Sequence, residues 1–227
     1  MKRSEINCII KDAKKFMEEF HFCLPPFADW TPEDWKAKGT ECDEIRDNML
    51  GWDITDYGLG HFATTGLVLI TLRNGNQNNA KYTKPYAEKL LISAEGQVCP
   101  MHFHWKKMED IINRGGGIMM MQLYNSTSSG QLDTLSDVSV VSDGVRLTIP
   151  AGTVLELAPG QSVTLTHGLY HAFWGKKGSG PVLIGEVSQC NDDNTDNRFY
   201  EPMGRFPDIE EDAAPFRLLC TEYPVAP

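Results

Sequence analysis

From about residue 50 to residue 190 the chain is written as short apolar runs cut by turn residues roughly every ten positions, and this rhythm limits the fold more than any other feature. A run over residues 60–73 is followed by Asn74-Gly75, a hairpin signal. Further strand-like runs cover 86–93, the segment carrying His102 and His104, and 115–124. They continue at 138–141, 145–149, 153–157 and 162–166, with Ser-Asp-Gly, Pro-Ala-Gly and Pro-Gly turns between them. Many short strands at this spacing make a β-sandwich or barrel. Residues 125–136 are polar and read as an excursion or lid loop. No repeat or linker divides the chain, so one domain over residues 1–227 is expected, with its barrel core at about 60–190.

The first 50 residues follow another period. Ile6, Ile9, Ile10, Ala13, Phe16, Met17 and Phe20 fall at helical spacing, with Ser4 as the cap. His21-Phe-Cys-Leu-Pro-Pro breaks that helix, and His21 reads as a helix-end residue. Thr31-Pro32 opens a second, short helix that Gly39 ends. This helical segment is expected to lie against the outside of the barrel.

Bulk properties exclude several partners. A net charge of -10 argues against nucleic acid and anionic membrane surfaces. No apolar run approaches the ~20 residues of a membrane helix, and the N-terminus has no signal-peptide hydrophobic region. A cytoplasmic location is the expectation. The six cysteines lack paired spacing and read as reduced thiols.

Chemistry concentrates between Gly96 and Gly116. His102 and His104 share one face of a strand, because side chains alternate. Glu109 follows after a Lys106-Lys107 step where the chain can turn. Two imidazoles and a carboxylate from one such unit suit a divalent metal. Alternation points Cys99 to the opposite face unless Pro100 breaks it. A fourth ligand must come from a distant strand, and His61, His167 and His171 are available. A turn at Gly168 would carry His171 onto a new strand. Mixed nitrogen and oxygen ligation favours Mn, Fe or Co, with Zn also compatible.

Other polar residues sit where such a site needs them. A hairpin closed by 174–181 would pair His171 near Ile184 and put Glu186 on the inward face, as the base. Lys106 has the parity of the two histidines, so it is the candidate cation for a developing oxyanion. Lys89 interrupts apolar Ala87 and Leu91 and reads as a substrate contact. Asp193 and Arg198, in the Asn191–Arg198 run, are candidates for holding the hydroxyls of a polar substrate. Trp105 and Trp174 either stack on a substrate face or pack, and His167 reads as a supporting residue.

The pattern Gly96-x5-His102-x-His104-x4-Glu109-x6-Gly116 resembles the first motif of the cupin superfamily, and Gly168-x2-His171 resembles the core of the second. Thr166 and Gly175 stand where that motif has proline and asparagine. The resemblance implies a jelly-roll β-barrel with a metal held by His102, His104, Glu109 and His171. A wider resemblance rests on Thr71-Leu-Arg-Asn-Gly, on the 100–117 run, and on Glu186-Val-Ser-Gln-Cys-Asn-Asp-Asp-Asn-Thr-Asp-Asn-Arg-Phe. These are similar to the bacterial D-lyxose isomerase family. That similarity implies a manganese-dependent homodimer interconverting D-lyxose and D-xylulose, and D-mannose and D-fructose. A metal-dependent cupin oxygenase and a sugar-binding cupin without activity are the competing readings. The charged residues favour a polyol over the aromatic substrates usual for the oxygenases.

Overall fold

The computed structural model describes residues 1–190 and 192–227. Helix α1 (Arg3–Glu19) buries Ile6, Ile10, Ala13 and Met17, one from each turn. Each such side chain larger than alanine contributes roughly 1.5–3 kcal/mol on burial. Ser4 does not cap this helix. The capping position is Lys2, with no side-chain bond, and Ser4 lies in the first turn. Its amide and hydroxyl both donate to the Asp212 carboxylate, at 2.9 and 2.7 Å. The C-terminal segment therefore does the capping. It also holds buried Arg3 between Glu211 and Glu222. Helix α2 (Pro32–Lys36) starts with the reciprocal Thr31–Asp34 bonds of a capping box, and α3 (Asp43–Asp47) follows. His21 has φ +55°, the left-handed conformation that stops α1.

The strands begin earlier and end later than the barrel core expected at about 60–190. They are β1 (Gly51–Thr55), β2 (Leu67–Arg73), β3 (Tyr86–Ser93), β4 (Cys99–His104), β5 (Glu109–Gly116), β6 (Met119–Ser126) and β7 (Leu132–Asp133). Then come β8 (Val138–Ser142), β9 (Val145–Ile149), β10 (Val154–Leu157), β11 (Ser162–Leu165), β12 (Tyr170–Gly175), β13 (Val182–Gln189) and β14 (Asn197–Phe199). The larger sheet runs β1-β2-β3-β13-β5-β11-β8-β9 and the smaller β10-β6-β12-β4-β14, with β7 on β6. Both are antiparallel, and together they form the jelly-roll barrel.

Two apolar cores explain the sequence pattern of the larger sheet. Leu69, Leu91, Ile111 and Ile184 face inward, toward Met121, Leu123 and Phe173 of the smaller sheet. Ile54, Val68, Ile70, Leu90 and Ile92 face outward, under α1. A strand buried on both faces reads as a continuous apolar run, and β2 is such a strand. Asn74-Gly75 does not close a tight hairpin. Asn48 and Asn74 each donate an amide to the other's carbonyl, which commits Asn74 to the long 74–85 connection.

The connection between β12 and β13 also differs from expectation. These strands do not pair: β12 joins β4 and β6, and β13 joins β3 and β5. The 176–181 loop crosses from one sheet to the other, with Gly178 and Gly180 at positive φ. His171 therefore pairs with His102 and Leu123, and Ile184 with Leu91 and Asn113.

Candidate active site

One wall of the barrel interior is built from imidazoles. His102 and His104 come from β4 and His171 from the adjacent β12. Gly168, at φ +70°, turns the chain into β12; its N–H donates to His104 O at 3.0 Å. A Cβ there would lie 2.9 Å from Ser126 Oγ, but it is the positive φ that calls for glycine. The His102 and His171 rings are 4.1 Å apart, and each of the three histidines offers a nitrogen within 4.8 Å of the others'. His102 Nδ1 donates to Pro100 O (2.7 Å) and His171 Nδ1 to Leu169 O (3.0 Å). These bonds fix tautomers that leave Nε2 as an acceptor. Burial, with the other two imidazoles, pushes His102 well below the ordinary histidine range. Burial and Lys107 push His104 the same way.

The facing wall is built from charges. On the inner face of the larger sheet stand Lys89 of β3, Glu109 of β5 and Glu186 of β13. Glu109 Oε1 reaches His104 Nε2 (3.2 Å) and His171 Nε2 (3.3 Å). Imidazole nitrogens that converge as acceptors are disfavoured beside one another unless a cation sits among them. With Glu109 beside them, the donor set fits a divalent metal. Burial alone would raise the Glu109 carboxyl, but Lys107 and His104 outweigh it and hold it well below its ordinary value.

The structure brings Lys107, not Lys106, to the cavity. Lys106 is exposed, whereas Lys107 is buried and lies 2.7 Å from Glu109 Oε2 and 2.9 Å from Glu186 Oε1. Strand alternation stops at His104, so parity carried past it assigns the wrong lysine. Burial would lower Lys107, but Glu109, Glu186 and Asp193 raise it overall. Glu186 reaches the cavity, although not through a hairpin with β12. Its Oε1 receives Lys107, the Ser188 hydroxyl (2.9 Å) and, at 3.6 Å, Lys89. Burial would raise this carboxyl too, yet Lys107 and Lys89 hold it below its ordinary value.

Asp193 lies 3.5 Å from both Lys89 and Arg205, at the cavity. Arg198 does not reach it. Its Nε donates to Gly130 O (3.1 Å), and its guanidinium sits 5.7 Å from the Trp105 ring on the other face of β14. Arg205 takes that place instead, paired with buried Asp53 at 2.6 Å. Asn191 lies outside the described residues. Trp105 is exposed, Trp174 is half-buried, and neither lines the cavity. His167 is exposed, with Nε2 3.3 Å from Gln189 Oε1.

Cys99 does line the cavity. Across β4 and β12, His171 opposes His102 but Phe173 opposes Cys99, so β4 carries an extra residue and its alternation breaks at Pro100. The Cys99 thiol lies 3.1 Å from the Tyr57 hydroxyl, and burial pushes it up to about 12. It belongs to the lining rather than to the histidine cluster. Tyr57, Lys107 and Arg205 carry no local sequence signal beyond their residue type. Around the cavity, Lys89, Lys107 and Arg205 face Asp53, Glu109, Glu186 and Asp193, a formal charge of -1 with neutral imidazoles. A bound dication would change that to +1.

The sequence model of the D-lyxose isomerase family matches residues 1–223. The chain belongs to the D-lyxose isomerase family. A D-lyxose/D-mannose isomerase of Serratia proteamaculans is 49% identical over 225 residues, covering 98% of each chain. One from Escherichia coli O157:H7 is 47% identical over 224 residues, again 98% of each. Among solved structures, an L-ribose isomerase of Acinetobacter sp. DL28, in complex with L-ribose, superposes with a TM-score of 0.62. It is 16% identical and covers 92% of this chain and 98% of its own. The L-ribose isomerase of Geodermatophilus obscurus gives 0.61 at 16% identity, with the same coverage. At that identity the two structures share the fold of this D-lyxose isomerase family member. Its place among the sugar isomerases rests on the family model and these relatives, and the solved structures share its fold.

Proposed function

We propose that this sugar isomerase interconverts D-lyxose and D-xylulose, and their six-carbon counterparts D-mannose and D-fructose, with a divalent metal, manganese foremost. His102, His104, Glu109 and His171 would hold the ion. When bound, it supplies Lewis acidity toward the sugar's carbonyl and neighbouring hydroxyl oxygens. Glu186 is the group that moves the proton between C1 and C2. Its described partners all fall on Oε1, which leaves Oε2 to accept and return the proton. Lys107 keeps Glu186 ionised and stands ready to donate toward charge developing on the substrate. Lys89, Asp193 and Arg205 offer donors and acceptors suited to sugar hydroxyls. That ring of charge favours a polyol over the apolar substrates of cupin oxygenases.

The observation that carries this reading is the opposition of the two walls, with Glu186 joined to the ligand carboxylate of Glu109 through Lys107. The test is to strip the protein with chelator, restore Mn²⁺, and follow D-lyxose conversion to D-xylulose. Activity is expected to vanish and return; undiminished activity after stripping rejects the reading. The family resemblance further supports a homodimer, which sedimentation would check as a mass twice that of the 25.4 kDa chain.

A further inference from the structure

The turn between β4 and β5 is held by more contacts than a surface turn ordinarily has. Trp105, Lys106 and Met108 are exposed, and Lys107 alone is buried. All four backbone N–H groups have acceptors from outside the turn. Trp105 donates to Asp196 O (3.1 Å), Lys106 to Asp196 Oδ1 (2.7 Å), Lys107 to Asp196 Oδ2 (3.1 Å) and Met108 to Gln189 Oε1 (3.0 Å). Three of the four end on one residue. Asp196 is buried, 3% exposed, and its side chain accepts from the backbone N–H groups of Lys106 and Lys107 rather than from a cavity side chain.

A carboxylate matches this task. It accepts two N–H groups at once, whereas an amide of the same shape offers one acceptor and turns a donor toward the second. A buried carboxylate bound only to backbone donors is costly to remove, because the donors are left unpaired. Asp196 also ends the loop that carries Asp193, and Asn197 Nδ2 donates to Asp193 O at 3.0 Å. One residue thus fixes the turn that aims Lys107 and borders the loop that presents Asp193.

We propose that Asp196 is a positioning residue for the isomerisation: by holding the 105–107 backbone, it sets Lys107 Nζ between Glu109 and Glu186. The inference rests on the roles given above to Lys107 and Glu186. Asp196 itself contacts no reacting atom. The four metal-ligating side chains are supported by β4, β5 and β12, so its loss leaves the ion in place.

The test is a double-mutant cycle on the metal-loaded protein, with Asp196→Ala or Asp196→Asn alone and combined with Lys107→Met. Metal content and backbone amide exchange are measured beside the kinetics. Asp196→Ala is expected to lower kcat at least tenfold, with metal content unchanged. Asp196→Asn is expected to lose less, since one acceptor remains. In the Lys107→Met background, either change should cost no more than about twofold further, because the residue being positioned is gone. Exchange at residues 105–107 should accelerate at least tenfold while β4 and β5 stay protected. Losses that multiply through the Lys107→Met background, or exchange at 105–107 equal to wild type, overturn the inference. If the alanine variant does not fold, the asparagine cycle decides. Wild-type protein inactive on D-lyxose would reject the proposed reaction, and the exchange measurement would then decide on the clamp itself.

Discussion

The two walls of the cavity are built by different means. The imidazole wall is local: His102 and His104 lie on one strand, and His171 is its hydrogen-bonded neighbour on the next. The charged wall is assembled from β3, β5 and β13, with Lys107 reaching in from a turn. Buried, desolvated imidazoles on one side suit a fixed site for an ion. Carboxylates held ionised by buried lysines on the other suit proton transfer. The difference teaches that, under the proposed reaction, holding the ion and moving the proton fall to separate walls, and substitutions should separate them.

The largest effect is expected on the imidazole wall. His171→Ala removes one of the proposed ligands and leaves Glu109 without one of its two imidazole partners. Bound metal measured by elemental analysis and isomerase activity should be lost together. On the charged wall, Glu186→Gln should keep the metal and reduce kcat by about 10²–10⁴-fold, the usual range for a general base. Loss of metal in this variant would break the division between the walls. Lys107→Met leaves two buried carboxylates without their shared cation. It should cost about 3–5 kcal/mol in denaturant unfolding, as expected for breaking a buried ion pair, besides lowering activity. Lys106→Met provides the contrast, since its side chain is exposed. Its stability should stay within about 0.5 kcal/mol of wild type, with unchanged kcat.

The same contrast explains what the sequence revealed. The imidazole wall was legible because its signal is short-range: alternation joins His102 to His104, and a glycine turn delivers His171. Cys99 already marks the limit, since a bulge at Pro100 turned it inward against simple alternation. Glu186 does reach the cavity, although the hairpin that placed it there does not exist. Its parity within β13 survived, although the loop before that strand crosses to the other sheet. Lys89 stood out because a lysine among apolar neighbours on a strand needs a partner, and Glu186 and Asp193 provide it. Lys107 and Arg205 were not legible. Lys107 is directed by a backbone clamp from residues about 80–90 positions away in sequence, and Arg205 by pairing with Asp53 at the far end of the chain. Ser4 lost its capping role for the same reason, to a tail residue more than 200 positions distant.

The central claim is that the proton moves at Glu186 while the imidazole wall holds the ion. The most direct measurement is hydrogen exchange during turnover of D-lyxose in D₂O, comparing wild type with Glu186→Gln at equal, verified metal content. Deuterium should enter D-xylulose at C1 and D-lyxose at C2 in the wild type, and the variant should show neither incorporation nor isomerisation at a comparable rate. Isomerisation by the metal-loaded Glu186→Gln protein at the wild-type rate would contradict the account.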